Sequence, residues 1–111
     1  MENATTVIQT FNKIRSELGK AKLKIAVIYW DVYKINFCIN GYPHLLISIS
    51  EYSNSAINDT LVIRNLGREI CRGNRFSENC ESKLAEDLMV YLINYNNDHY
   101  NVYLQEDSNN T

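Results

Sequence analysis

The stretch from Lys22 to Glu51 constrains the fold more than any other part of the sequence. Two runs rich in β-branched and aromatic residues, KLKIAVIYWDVYKINFCI and YPHLLISISEY, flank the dipeptide Asn40-Gly41. An Asn-Gly pair between such runs is the strongest short-range signal for a β-hairpin, because a type I′ turn needs positive φ at both central residues. The sequence therefore predicts a long hairpin, with the other elements as its cover or its edge.

The first arm of this hairpin is apolar on both faces. One face carries Leu23, Ile25, Val27 and Tyr29, and the other carries Ala26, Ile28 and Trp30. This pattern predicts a central strand that is covered on at least part of both sides. Asp31 interrupts the run, so either one strand continues through a bulge or a tight turn at 31–34 divides the arm into two strands.

Amphipathic segments predict one helix before the hairpin and one after it. Thr5 or Thr6 can cap a helix over residues 6–18, and Gly19 suits the left-handed position that ends it. Ser77 can cap a second helix over residues 78–95. The apolar stripe of this second helix consists of Cys80, Leu84, Leu88, Tyr91, Leu92 and Tyr95.

Shorter segments predict the remaining strands. Residues 60–64 and 68–72 have the pattern of two short strands joined by a turn at Asn65-Leu66-Gly67. A last strand is predicted over residues 100–104, and residues 105–111 have the composition of a disordered acidic tail.

These elements predict one α+β domain over residues 1–111. We expect an antiparallel sheet of four to six strands with two helices packed on one face, in the order α-β-β-β-β-α-β. The sequence shows no signal-peptide pattern, and its apolar runs are far too short to span a bilayer. We therefore expect a cytoplasmic protein with reduced thiols and no membrane partner.

The sequence lacks the spacings that metal sites and catalytic sites use. The three cysteines, Cys38, Cys71 and Cys80, include no Cys-x2–4-Cys pair, and the two histidines are far apart in sequence. No Gly-x-Ser-x-Gly motif and no Gly-rich phosphate loop occurs. We expect no metal, no cofactor and no enzymatic activity.

A cluster of arginines is the first candidate site. It consists of Arg64, Arg68, Arg72 and Arg75, opposed in sequence only by Glu69. A guanidinium group fits phosphate or carboxylate through two hydrogen bonds, so the cluster could bind an anion or nucleic acid. The interpretation that we prefer is pairing with the acidic second helix through Glu81, Glu86 or Asp87, with the aliphatic stems over the core. Residues 1–76 carry a net charge of +4 and residues 77–111 a net charge of −6, which fits this pairing.

Aromatic side chains form the second candidate site, because Tyr, Trp and Arg dominate the energetics of protein interfaces. The candidates are Tyr29, Trp30, Tyr33, Tyr42 and His44. We expect them on the sheet face opposite the helices, where a protein partner or a second copy would cover them. The alternative is that half of the tyrosines cover a small core and keep their hydroxyl groups in water.

Together these features predict a small protein-binding module. The fifteen asparagines and eight tyrosines are typical of an AT-rich genome, which suggests a phage or mobile-element accessory protein that inhibits a host enzyme or defence complex by binding it. The alternative is a nucleic-acid or nucleotide binder that uses residues 64–75. The net charge of −2 argues against bulk attraction to nucleic acid.

Overall fold

The computed structural model describes residues 4–52 and 59–109, with side chains described up to Tyr95. Within these residues the elements are α1 (Val7–Lys20), β1 (Ile25–Trp30), β2 (Lys34–Ile39), β3 (Ile47–Glu51), β4 (Thr60–Asn65), β5 (Arg68–Asn74) and α2 (Cys80–Asn109). The strands form one antiparallel sheet in the order β1-β2-β3-β4-β5. The predicted α+β class is confirmed, with five strands between the two helices.

Helix α1 begins as the sequence predicts and ends later. The Thr6 side chain accepts a hydrogen bond from the Gln9 amide, and the Gln9 side chain accepts one from the Thr6 amide, so the two form a capping box. The expected end at Gly19 is wrong, because Lys22 takes the left-handed conformation with φ +61°. The Leu23 amide then donates to the Leu18 carbonyl at 2.9 Å, and the Leu23 side chain packs against the core.

The first arm of the predicted hairpin is two strands, which was one of the two alternatives. The Asp31 carboxylate accepts hydrogen bonds from the amides of Tyr33 and Lys34 and so closes a tight turn between β1 and β2. The prediction that the first of these strands is central is wrong. Strand β1 is an edge of the sheet and is exposed along most of its length, because α1 packs over β2 and β3.

The type I′ turn predicted at Asn40-Gly41 is wrong, although β2 and β3 do pair. Gly41 has φ +92° but Asn40 does not have positive φ, and residues 40–46 form the connection. This loop is longer because it buries Tyr42 and Leu45 in the core. Two consecutive residues with positive φ occur instead at Leu66-Gly67, in the predicted turn between β4 and β5.

The core lies between the sheet and the two helices. Buried side chains come from alternate positions of β2, β3 and β4 and from one stripe of each helix. The rings of Phe11 on α1 and Phe37 on β2 meet edge to face with centroids 5.6 Å apart. From the predicted stripe of α2, Cys80, Leu84, Leu88 and Leu92 are buried, and Tyr91 and Tyr95 are partly buried.

Helix α2 differs from its predicted bounds at both ends. Ser77 is not the N-cap, because its hydroxyl donates to the Asn74 carbonyl and the helix begins at Cys80. The strand predicted over residues 100–104 is wrong, since the helix continues to Asn109. Extending an existing helix forms one hydrogen bond for each residue that is fixed, whereas an added strand needs a long-range partner.

The expected disordered tail is also revised by this extension. Residues 105–109 belong to α2, and residues 110–111 lie outside the described part of the chain. In the part that the structure describes, no helix has an apolar stretch long enough to cross a membrane.

Two glycines predict opposite effects of the same substitution. Gly67→Ala should destabilise the protein by about 1–2 kcal/mol, because φ is +81° and an L-residue is strained there. Gly19→Ala should stabilise it by about 0.5 kcal/mol, since Gly19 is helical and no atom lies within 4 Å of an added Cβ. Urea unfolding of the two variants beside the parent protein measures both values. A stabilising Gly67→Ala would show that the β4–β5 turn has another conformation.

The apolar stripe of α2 gives a second prediction. Leu88 is fully buried, so Leu88→Ala should lower the free energy of unfolding by about 2–5 kcal/mol. Glu86 is exposed on the same helix, and Glu86→Ala should change it by about 0.5 kcal/mol or less. Thermal and urea unfolding should separate the two variants clearly. Similar losses in the two variants would mean that a different face of α2 packs against the sheet.

Candidate functional site

An exposed apolar surface covers β1 and the turn that follows it. We call it the β1 surface, and it consists of Val27, Ile28, Tyr29, Trp30, Val32 and Tyr33, each 46–76% exposed. Scattered exposed apolar residues are normal on proteins, but six within seven consecutive positions form a contiguous patch. Such patches commonly mark sites where another molecule binds.

The register of β1 with β2 determines where these side chains point. Val27 lies opposite Phe37 and Trp30 lies opposite Ile35, so both share the side on which the helices pack. Tyr29 lies opposite Asn36 and shares the other side. A bulge between Val27 and Tyr29 adds one residue, which lets apolar side chains reach both sides of the edge.

Hydrogen bonds to Asp31 fix the end of the β1 surface. The Tyr29 hydroxyl donates to Oδ2 at 2.5 Å, and the amides of Tyr33 and Lys34 donate to Oδ1 at 2.7 and 2.9 Å. These bonds, that of Tyr29 foremost, hold the pKa of Asp31 below its ordinary value. The hydrogen bond to Asp31 in turn raises the pKa of Tyr29. The turn is therefore ordered and presents Trp30, Val32 and Tyr33 in a fixed arrangement.

A cavity of about 320 Å³ adjoins the β1 surface on the helix side. Its lining consists of Thr6, Ile8, Trp30, Asp31, Val32, Glu51 and Arg75. Arg75 and Glu51 form an ion pair at 2.8 Å, and their side chains are only 12% and 13% exposed. The cavity thus combines apolar walls with a largely buried, compensated pair of charges.

The arginine cluster has partners other than the acidic helix. Arg75 pairs with Glu51 on β3, and Arg72 forms two hydrogen bonds with Glu69 at 2.6 and 2.8 Å. The preferred pairing with α2 is therefore wrong for these two arginines. Arg72 lies opposite Val62 on the sheet side away from the helices, where α2 cannot reach it.

The expected stems over apolar residues occur on that outer side of the sheet. Val62 is fully buried there, although the helices lie on the opposite side. Arg72 is its cross-strand neighbour and stacks over the Tyr52 ring at 5.0 Å, while Arg64 donates to Ser50, the neighbour on the other strand, at 2.8 Å. The arginines of this face are therefore engaged within the protein, and Arg68 is exposed at the start of β5.

A second cavity, of about 350 Å³, lies on the outer face of the sheet. It is lined by Lys34, Asn36, Leu46, Ser48, Leu66 and Gly67. Within the described part of the chain, the Asn36 Oδ1 atom is buried and accepts no hydrogen bond. The lining of this cavity mixes polar and apolar residues, and it includes no residue of the β1 surface.

The structure brings together three of the predicted aromatic residues and separates the other two candidates. Tyr29, Trp30 and Tyr33 belong to the β1 surface, but Trp30 lies on the helix side and not on the expected opposite face. Tyr42 is buried, and its ring contacts that of Tyr95, so its assignment to an exposed surface is wrong. His44 is exposed in the loop between β2 and β3, away from any strand.

The sequence interpretation missed three aliphatic members of the β1 surface. The two-sided apolar pattern predicts a cover for Val27 and Ile28, and Val32 falls in the alternative turn, but all three are exposed. A usable signal was present, because the sequence predicts two helices on one face of the sheet, so a strand that is apolar on both faces must leave one face without a helical cover.

Neither a search for metal-binding side chains nor comparison with known proteins adds a further candidate site. Over residues 4–52 and 59–95, no group of three or more His, Cys, Asp or Glu side chains could hold a metal ion. No protein-family model, no curated protein and no solved structure matches the chain. The absence of enzymatic activity and the cytoplasmic location stay predictions.

The two arginine pairs differ in burial, which gives a third prediction. Arg75→Ala should destabilise the protein by about 3–5 kcal/mol, because it breaks a largely buried ion pair with Glu51 and removes the hydrogen bond to the Thr5 carbonyl. Arg72→Ala removes an exposed pair and the stacking over the Tyr52 ring, and should cost about 1–2 kcal/mol. Urea unfolding at neutral pH compares the two variants. Equal losses would mean that the Arg75–Glu51 pair is accessible to solvent.

Proposed function

We propose that this chain is a protein-binding module that binds its partner through the β1 surface. The observation that carries this proposal is the group of six exposed apolar side chains along an edge strand and the turn that follows it. Each of them leaves apolar area in contact with water, and covering that area is the main favourable term in protein association. A partner gains most where such residues are contiguous, as they are here.

The backbone of β1 supports the proposal independently of its side chains. In the part of the chain that the structure describes, no element pairs with the outer edge of β1. Edge strands that must avoid pairing often carry lysine, proline, an inward charge or a bulge. Strand β1 has a bulge but carries no lysine, proline or charge, since its sequence is IAVIYW. An extended segment of a partner can therefore add to the sheet through main-chain hydrogen bonds.

The order of the β1–β2 turn also favours binding. The three hydrogen bonds to Asp31 fix the backbone beside Trp30 and Tyr33 before any partner arrives. Binding to an ordered surface loses less conformational entropy than binding to a mobile one. The aromatic side chains are rigid and large, which makes them suitable anchors for an interface.

Charge favours a protein over nucleic acid as the partner. Arg72 and Arg75 already have carboxylate partners, so their charges are compensated within the protein. The Asp31 carboxylate also lies beside the β1 surface and would repel phosphate groups. These positions weigh against the alternative of a nucleic-acid binder.

A paired substitution tests the proposed function. Ile28→Lys/Val32→Lys places two charges on the β1 surface, and Val90→Lys/Ile93→Lys places two on exposed positions of α2. Partners are identified by affinity capture and mass spectrometry, and each is then purified and titrated against the three proteins. We expect the first variant to weaken binding by about tenfold or more, and the α2 variant to bind as the parent does.

The assay counts a second copy of the chain as a partner. The proposal fails if every purified partner binds the Ile28→Lys/Val32→Lys variant as tightly as it binds the parent. Circular dichroism of both variants shows whether they are folded, and both should be, because all four positions are exposed.

A further inference from the structure

We infer that the partner at the β1 surface is a second copy of this chain, whose β1 pairs antiparallel with the first across a two-fold axis. This inference rests on the proposed function and names the occupant of the same surface. The pairing would join two five-stranded sheets into one continuous sheet and cover both outer edges of β1.

The directions of the backbone groups of β1 follow from two hydrogen bonds to β2. The Asn40 amide donates to the Lys24 carbonyl at 2.9 Å, and the Asp31 amide donates to the Lys34 carbonyl at 2.8 Å. The backbone N–H and C=O groups of Lys24 and Asp31 therefore point toward β2. Because these directions alternate along a strand, Ile25 and Trp30 direct theirs to the open edge.

Strand β1 is symmetric about its bulge. Two residues, Val27 and Ile28, occupy the position opposite Phe37, so they count as one position in the ladder. Ile25 lies two residues before this position and Trp30 lies two residues after it. A two-fold axis through the bulge therefore places Ile25 of each copy opposite Trp30 of the other, and both direct hydrogen-bonding groups to the shared edge.

The same axis matches the faces of the side chains. Ile25 and Trp30 both lie on the helix side, while Ala26 and Tyr29 both lie on the outer side. Directly opposite residues of an antiparallel pair share a face, so each apolar side chain meets another one. The small Ala26 also lies opposite the large Tyr29, which avoids a clash. A shift of the register by one residue would place each helix-side residue of one copy opposite an outer-side residue of the other copy.

Charge at the two ends of β1 favours a second copy over another apolar strand. The next pair in this register is Lys24 of one copy with Asp31 of the other, at a position without main-chain hydrogen bonds between copies, where side chains come closest. The two-fold axis generates this pair twice, once at each end of the interface. The opposite charges thus fix both the direction and the register of the pairing.

Disulfide formation between different variants tests the register. In this register residues 26 and 29 of opposite copies form a close pair, with Cα atoms about 4.5 Å apart, which suits a disulfide. Like positions lie about 8 Å apart, beyond its reach. The experiment mixes Ala26→Cys and Tyr29→Cys proteins, one of them tagged, in a Cys38→Ser background because Cys38 lies opposite Ala26. Of the other thiols, Cys80 is buried, and burial foremost raises the pKa of Cys71 to about 12.

We expect mild oxidation to give the mixed disulfide in large excess over dimers of either variant alone. Sedimentation of the parent protein should show a dimer that dissociates on dilution. The fluorescence emission of Trp30, the sole tryptophan, should move to longer wavelength as the dimer dissociates. Lys24→Glu should weaken the dimer about tenfold, while Lys83→Glu, the same charge change on α2, should leave it unchanged.

Three outcomes overturn the inference. A parent protein that stays monomeric at all concentrations removes the second copy as the partner. If each cysteine variant cross-links with itself as readily as with the other variant, the predicted register is wrong. If Lys24→Glu and Lys83→Glu have equal effects on the dimer, the predicted pair of Lys24 with Asp31 is wrong. If the chain is monomeric but Ile28→Lys/Val32→Lys still abolishes binding of a different protein, the proposed function stands and only its self-pairing form fails.

Discussion

The position of α1 over the middle of the sheet decides which parts of this protein are buried and which are exposed. Two features fix that position. The Thr5 amide donates to the Arg75 carbonyl at 2.8 Å and the Arg75 side chain donates back to the Thr5 carbonyl, which ties the start of α1 to the segment after β5. The Phe11 ring then packs edge to face on Phe37 of β2. Held at both places, α1 covers β2 and β3, and β1 lies beyond its cover.

This arrangement gives the edge strand its properties. The sequence of β1 would suit the interior of a sheet, since it is apolar on both sides and has high β-propensity. The topology instead places it outside the cover, where its apolar area and its unpaired edge are both accessible. A strand with interior composition at an exposed edge is a local inconsistency, and such inconsistencies commonly mark functional sites. The β1 surface is proposed as the binding site on this ground.

The sequence predicted the elements whose signals are local. The helical stripe of α1, the capping by Thr6 and the alternation in β2 all depend on neighbours along the chain, and the structure has them as expected. The position of β1 could not be predicted in this way, because it depends on where α1 packs. The Asn40-Gly41 turn failed for a similar reason, since burial of Tyr42 and Leu45 outweighed the preference for a two-residue loop.

The candidate sites show the same limit. The arginines of the cluster lie close together in sequence, but alternation along β5 sends Arg72 to the outer face. Arg75 lies beyond the strand and pairs with Glu51 on the cavity side. The charge difference between residues 1–76 and 77–111 therefore does not reflect pairing of these arginines with α2. Sequence could identify Tyr29, Trp30 and Tyr33 as a group, because consecutive residues at a strand end stay close whatever the topology is.

The two ends of β1 carry opposite charges that can orient a partner at this edge. Arg72 and Arg75 are paired within the chain, and Lys83 is paired with Asp87 on α2. At β1, by contrast, a basic residue precedes the strand and an acidic one follows it, with only apolar residues between them. Apolar area alone would accept many partners and several registers, whereas opposite charges at the two ends favour an antiparallel strand with the same order of charges. A second β1 has that order, which is why self-pairing fits this edge better than a generic apolar segment does.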